Sequence, residues 1–331
     1  YGHWEIGAKT ADEWGVLVRE SAKMMRHVDP TAELSAAALS DPGWNLNLLK
    51  LCGENLDWIS IHEYWDMMPE KNEPATYEQC MAFTHRIDHS VREVRGMLAA
   101  LKLDDRIKIA FDEWNLRSWH HPNVHTIRQG VDKSSYITPR DKNDINTTYT
   151  MADAVFTACF LSAMHRHCDI VGMANFAPIL NTRGCIYSHD KGIVLRSTYH
   201  VFDLYVNHLG DTVVDLWPEE ALPKMTVPHK QGHRVTIDSL DLLATTFTGK
   251  PGMAIAAINK DPEHAYPITL PLSGKTQVIL HTINGESKDS YNDVDHDGVR
   301  TVKHDMGMHE SRVEIELEPH SVNLIELSLV E

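Results

Sequence analysis

The sequence predicts an α/β region of parallel βα units followed by an antiparallel β-sandwich. Across residues 8–209, amphipathic helical stretches alternate with short apolar runs, in the order helix, strand, helix, strand, helix, strand, helix, strand, helix. After about residue 210 the texture changes to short β-rich runs separated by turn residues. The length of 331 residues suits a larger domain plus a smaller one. These observations divide the chain into domains 1–209 and 210–331.

The elements follow from local patterns. Thr10-Ala11-Asp12-Glu13 is a capping box, in which a Thr hydroxyl and a Glu three residues later satisfy each other's free amides at a helix start. Trp14, Leu17, Val18, Ser21, Met24, Met25 and Val28 then recur at helical spacing, and Asp29-Pro30 stops the helix. Residues 32–39 form a short strand, and 41–55 a loop followed by a short helix. Trp58-Ile59-Ser60-Ile61 is a buried strand running into His62-Glu63-Tyr64-Trp65. Residues 76–101 form a long helix with Met81, Ile87, Val91, Val94 and Leu98 on one side. Residues 107–111 are a strand ending in Asp112-Glu113-Trp114-Asn115. The polar stretch 118–142 reads as a long functional loop. An apolar helix over 147–166, a strand over 170–174 and a helix over 198–209 complete the first region. The later strands fall at 213–216, 234–247, 253–259, 267–272, 276–283, 312–317 and 321–329.

Composition excludes several functions. With 31 Lys+Arg against 47 Asp+Glu the formal charge is −16, which argues against binding nucleic acid or an anionic membrane surface. No apolar run approaches the length of about 18 residues that a membrane helix needs. Cys52, Cys80, Cys159, Cys168 and Cys185 are scattered, without C-x-x-C spacing, and read as reduced thiols of a cytoplasmic protein. Asn146-Thr147-Thr148 matches the glycosylation triplet and is read as a chance match. Asp293-Val294-Asp295-His296-Asp297-Gly298 imitates a calcium loop, but position 12 is His304 rather than Glu, so it reads as a turn. His165 and His167 do not share a helix face, His120-His121-Pro122 is a loop, and no zinc motif appears, so neither a metal nor a cofactor is expected.

The chemistry is expected at the carboxyl ends of the parallel strands, where ligands bind in such folds. Two ends stand out, His62-Glu63-Tyr64-Trp65 and Asp112-Glu113-Trp114-Asn115. Acids beside aromatic and amide groups suit a sugar. Rings pack on its apolar face, polar groups hold its hydroxyls, and two carboxyls placed across the ring can run acid/base and nucleophilic chemistry. On pattern alone, a capped turn at a strand end remains open for Glu113.

Ile109-Ala110-Phe111-Asp112-Glu113-Trp114-Asn115 resembles the nucleophile segment of glycoside hydrolase family 51, the retaining α-L-arabinofuranosidases. Trp4 to Ala11 resembles the segment after that family's acid/base motif, and Ser60-Ile61-His62-Glu63-Tyr64 its strand-six end. Met173 to Pro178 with Asn181-Thr182-Arg183-Gly184 resembles the strand-eight loop, and Gly192 to Arg196 with Thr198 to Phe202 the last barrel helix. Leu317 to Val322 resembles the closing strands of the C-terminal sandwich. The resemblance implies the C-terminal half of a (β/α)8 TIM barrel (strands 5–8) followed by an antiparallel, jelly-roll-like β-sandwich. It implies that Glu113 is the nucleophile, that Tyr64 hydrogen-bonds it, and that His62 supports the same network. It further implies that Trp114 and Asn115 shape the floor of the site and that Asn181 supplies a polar contact, with loop capping as the alternative for Asn181. Pro178 stands where many members carry Gln and cannot make that side-chain contact.

The family's acid/base glutamate lies in a Gly-Asn-Glu motif at the end of strand four, which by this alignment falls just before Tyr1, and Glu5 does not replace it. The expectation is therefore the C-terminal part of an arabinofuranosidase, with substrates among arabinose-containing oligosaccharides, homo-oligomeric assembly in the full-length protein and no normal hydrolase activity in the chain alone. A catalytically incompetent fragment, a carbohydrate-binding remnant, and an endoglucanase or xylosidase of the same barrel clan stay open.

Overall fold

The computed structural model describes residues 7–39, 41–67, 75–118, 145–229 and 232–330. These fall into two compact units. The first draws on segments within 1–73, 86–142 and 167–178, the second on segments within 74–85, 143–166 and 179–331. Compactness thus divides the chain differently from the change in texture at 210, because it follows contacts rather than periodicity.

Helix α1 (Ala11–Val28) starts at the expected capping box: the Glu13 amide donates to Thr10 Oγ1 at 3.2 Å, and the Thr10 amide to Glu13 Oε2 at 2.9 Å. Strand β1 (Ser35–Ala37) is followed by helix α2 (Pro42–Cys52) and strand β2 (Trp58–Met67). Helix α3 (Tyr77–Ala100) buries Ile87, Val91, Val94 and Leu98 along one stripe before strand β3 (Lys108–Ser118). After helix α4 (Met151–Arg166) comes strand β4 (Val171–Phe176). The four strands pair in sequence order, β1-β2-β3-β4, and every pair is parallel, as helical crossovers require. Gly172 allows the Trp58 ring to lie against β4, since a Cβ there would sit 2.6 Å from it. The expected loop over 118–142 lies, beyond residue 118, outside the described residues, as do Tyr1 to Ile6.

In the second unit α4 is buried from Met151 to Met164, which accounts for its lack of amphipathic periodicity. It is joined to helix α5 (Ser197–His208) by the Ser162–Tyr205 hydroxyl pair at 2.7 Å. An antiparallel sheet of six strands runs Arg300–His309, Thr276–Asn284, Val322–Leu329, Gly252–Asn259, Leu240–Thr246, Thr212–Val214. Val313, Ile315 and Leu317, from the strand paired with Tyr266–Pro271, share one core with Leu240, Ile255, Val278 and Ile325 of that sheet.

Several features depart from the expected strands, among them Lys224–Pro228, which pairs with Arg234–Asp238. The run 234–247 is two strands, Arg234–Asp238 and Leu240–Thr246, which belong to different sheets and part at Ser239. Arg300–His309 was not anticipated because it is a polar edge strand with one neighbour, and edges of this kind carry charge rather than apolar alternation. A hairpin of Ile186–His189 and Gly192–Leu195 was also not anticipated.

Asn146 is buried, donates to Asp293 and accepts from Arg196, so the triplet presents no free amide. Asn292–Asp293 and His296–Asp297 pair as a short hairpin, the expected turn. All five cysteines are free thiols. Among the described residues no helix is long and apolar enough to cross a membrane.

Candidate active site

Successive side chains of a strand point to opposite faces, so Ser60, His62 and Tyr64 share one face of β2. On β3 the same rule would separate Asp112 from Glu113. The register, however, passes from Ser60↔Ala110 to His62↔Glu113, so β3 carries an extra residue opposite β2. This bulge re-aims the chain and turns both carboxylates toward His62.

Glu113 is held at both oxygens. Tyr64 Oη donates to its Oε1 at 2.5 Å, and His62 Nδ1 lies 3.2 Å from its Oε2. The other imidazole nitrogen, His62 Nε2, lies 3.4 Å from Asp112 Oδ1 and 3.1 Å from Ser60 Oγ. Ser60 Oγ donates to Asp112 Oδ1 at 2.8 Å. Burial alone would push the His62 imidazole down, but its hydrogen bond to Asp112 and the charges of Glu113 and Asp112 outweigh it and raise it above its ordinary value. Burial also opposes the charge on Asp112, yet hydrogen bonds from His62 and Ser60 keep that carboxyl below the usual range. The Glu113 side chain remains 38% exposed, so a ligand can reach it.

Glu63 faces away from this group. It is packed against α3, and burial pushes its carboxyl up to about 7 despite a hydrogen bond from Ser90 and the charge of Arg86. Its Oε2 makes no hydrogen bond.

The structure therefore joins His62, Tyr64 and Glu113, and adds Ser60 and Asp112. Ser60 was legible as the residue two before His62 on a period-two strand. Asp112 was not, because only the bulge brings it to the same side as its neighbour. Trp114 and Asn115 directly follow Glu113 on β3. Trp114 is fully buried, edge-on to Phe176 at 5.0 Å, and Asn115 is 2% exposed, accepting from the Arg117 amide at 3.1 Å. Both support the strand that carries Glu113.

Asn181 belongs to the second unit, where its Oδ1 accepts from the Ser188 amide at 2.8 Å, a loop-capping bond. The same loop is anchored by buried Arg196, whose guanidinium donates to the carbonyls of Thr182 at 2.6 Å and Gly184 at 2.8 Å and lies 3.9 Å over the Tyr149 ring.

Known proteins share this arrangement of sequence and fold. The family described as "Alpha-L-arabinofuranosidase C-terminal domain" matches residues 112–321, a span that starts on the carboxylate-bearing strand. The intracellular exo-α-(1→5)-L-arabinofuranosidase 1 of Bacillus subtilis (strain 168) is 32% identical over 207 residues, which are 59% of this chain and 38% of that protein. The intracellular exo-α-(1→5)-L-arabinofuranosidase of Streptomyces lividans is 25% identical over 98% of this chain and 48% of its own length. The chain thus spans about half the length, or less, of these curated relatives. The crystal structure of an α-L-arabinofuranosidase from Thermotoga maritima, an arabinose complex, superposes with a TM-score of 0.78 at 25% identity over 99% of this chain and 64% of that one. A family 51 α-L-arabinofuranosidase from Thermotoga petrophila RKU-1 gives 0.77 at 25% identity. On this evidence the chain belongs to the α-L-arabinofuranosidases of glycoside hydrolase family 51 and corresponds to their C-terminal part.

Proposed function

We propose that this chain forms the nucleophile-bearing part of a retaining exo-α-L-arabinofuranosidase that releases terminal α-L-arabinofuranosyl residues from arabinan- or arabinoxylan-type oligosaccharides. In this reading β1 to β4 are strands five to eight of a (β/α)8 barrel, and the strands after residue 210 form a jelly-roll-like sandwich, with the boundary at 209/210. The observation that carries it is the clasp on Glu113, with Tyr64 Oη at 2.5 Å on one oxygen and His62 Nδ1 at 3.2 Å on the other. Such a clasp fixes the carboxylate while leaving an oxygen lone pair free to attack an anomeric carbon.

The reaction then takes two steps. Glu113 attacks, the glycosidic bond breaks, and a general acid protonates the leaving oxygen; water, deprotonated by the same group, next cleaves the glycosyl ester with net retention. That acid must hold a proton at working pH. Asp112 is unsuited, since His62 and Ser60 favour its charged form. Glu63 points to the opposite face. The family resemblance puts the acid/base in the Gly-Asn-Glu motif, within the portion of the relatives that these 331 residues do not span. The relatives' names, intracellular and exo-acting, support a cytoplasmic enzyme working on chain ends.

The test is to trap the intermediate. The protein purified from its source is incubated with a fluorinated arabinofuranosyl donor that forms the ester but hydrolyses slowly, then digested and mapped by mass. The expected adduct lies on Glu113. An adduct on another carboxylate, or turnover that inverts the anomeric centre, overturns the assignment.

A further inference from the structure

Outside this site, the second unit brings together two histidines and a carboxylate from three elements. His208 ends α5, and His281 and Glu326 lie on neighbouring antiparallel strands. The register Ile279↔Glu326 and His281↔Leu324 makes His281 and Glu326 diagonal neighbours on one face of the sheet. His208 Nδ1 is 2.5 Å from Glu326 Oε1, and His281 Nε2 is 3.5 Å from the same oxygen. The two rings lie 4.2 Å apart. His281 is 3% exposed, and its Nε2, turned toward that oxygen, makes no hydrogen bond. A buried imidazole nitrogen that makes no hydrogen bond costs free energy that a ligand would recover.

We propose that His208, His281 and Glu326 bind a divalent transition ion of the zinc class. Two imidazoles and one carboxylate suit a borderline ion of tetrahedral preference, with water in the fourth position. Bonds of about 2.0–2.2 Å in that geometry place ligand atoms roughly 3.3–3.5 Å apart. The observed 2.5 and 3.5 Å separations bracket that spacing closely enough that a small rotation of His208 completes it. All three ligand atoms lie within 4.8 Å of one another. His208, whose side chain is 30% exposed, keeps one side of the group open to water.

The site is held in place by its surroundings. Two residues after His208, the Gly210 amide donates to Thr245 Oγ1 at 2.8 Å, and a Cβ at 210 would lie 2.2 Å from the Thr246 carbonyl oxygen, so the end of α5 is fastened to the sheet. An ion here would clamp α5 to the two strands through side chains, reinforcing that backbone tie.

The protein, stripped with a chelator and dialysed, is titrated with zinc chloride by calorimetry beside His208→Gln and Glu326→Gln. We expect one zinc site per chain whose Kd weakens at least about tenfold in each variant, and a zinc-dependent rise in Tm that both variants lose. His208 is partly exposed at a helix end, so its variant decides the question even where Glu326→Gln fails to fold. A parent protein with no such site, or one whose affinity and Tm shift persist unchanged in His208→Gln, overturns the proposal. Weak binding to other surface histidines that is common to parent and variants counts as persistence.

Discussion

Two clusters in which histidine meets carboxylate, around Glu113 and around Glu326, are built in opposite ways. Around Glu113 the members come from two adjacent parallel strands, Ser60, His62 and Tyr64 on one, Asp112 and Glu113 on the other, and they are linked into one network. Around Glu326 they come from a helix end and two antiparallel strands, and one buried nitrogen is left without a hydrogen bond. A satisfied network orients its members for something that arrives transiently. An unsatisfied one has room for something that stays.

The sharpest way to break this contrast is a matched pair of isosteric changes. On the proposed function, Glu113→Gln in the assembled protein is expected to lower kcat by about 10³-fold or more. Glu326→Gln should leave kcat unchanged. Equal losses in both would show that the clusters are not functionally distinct.

Next comes Tyr64→Phe, which deletes one donor to Glu113 and keeps the ring. A carboxylate free to swing out of line loses up to about 10²-fold in kcat, with KM little changed. A change confined to KM would mean that Tyr64 binds sugar instead of positioning the nucleophile.

Glu63 offers a comparison across a single strand. Its carboxyl is raised to about 7 from an ordinary 4.5, so between these values the folded state binds more protons than the unfolded one. Stability must then fall as pH rises through that window and stay reduced above it. Glu63→Gln removes this dependence and should stabilise the protein above neutral pH by up to about 3 kcal/mol. Urea midpoints measured from pH 4 to 8 test it, and parallel curves for parent and variant would refute it.

The smallest effect concerns His62. Its raised value means that its favourable interactions count fully below the ordinary 6.5 and fade as pH climbs through the folded value. Asp112→Asn removes one of the two negative charges that raise His62 against burial, so the His62 titration followed by NMR should move to lower pH. No movement would mean that Glu113 alone sustains it.

Much of this architecture was legible because its signals are local. The Thr10–Glu13 cap, the stripe of Ile87, Val91, Val94 and Leu98, and the alternation through Ser60, His62 and Tyr64 each lie within a few turns or a few residues. The partnership of Tyr64 with Glu113 followed from a family resemblance. What escaped depends on pairing between distant segments. The bulge that joins Asp112 to Glu113 exists only relative to β2, and Arg300–His309 is a strand only because Thr276–Asn284 lies beside it. Nothing in the spacing of His208, His281 and Glu326 marks them, since their meeting is a product of sheet register and of where α5 ends.

The two compact units are assembled from six alternating stretches of chain, the first unit closing only with residues 167–178. Their order along the polypeptide has a consequence for biosynthesis. As the nascent chain leaves the ribosome, β1 to β3 emerge well before β4, and the segment of α4 that precedes β4 must wait for partners encoded after residue 179. Neither unit can be released by one proteolytic cut or expressed as one uninterrupted stretch. Nascent β3, already bearing Glu113, therefore presents an unpaired edge until β4 is made, a window in which a chaperone or another strand can claim it.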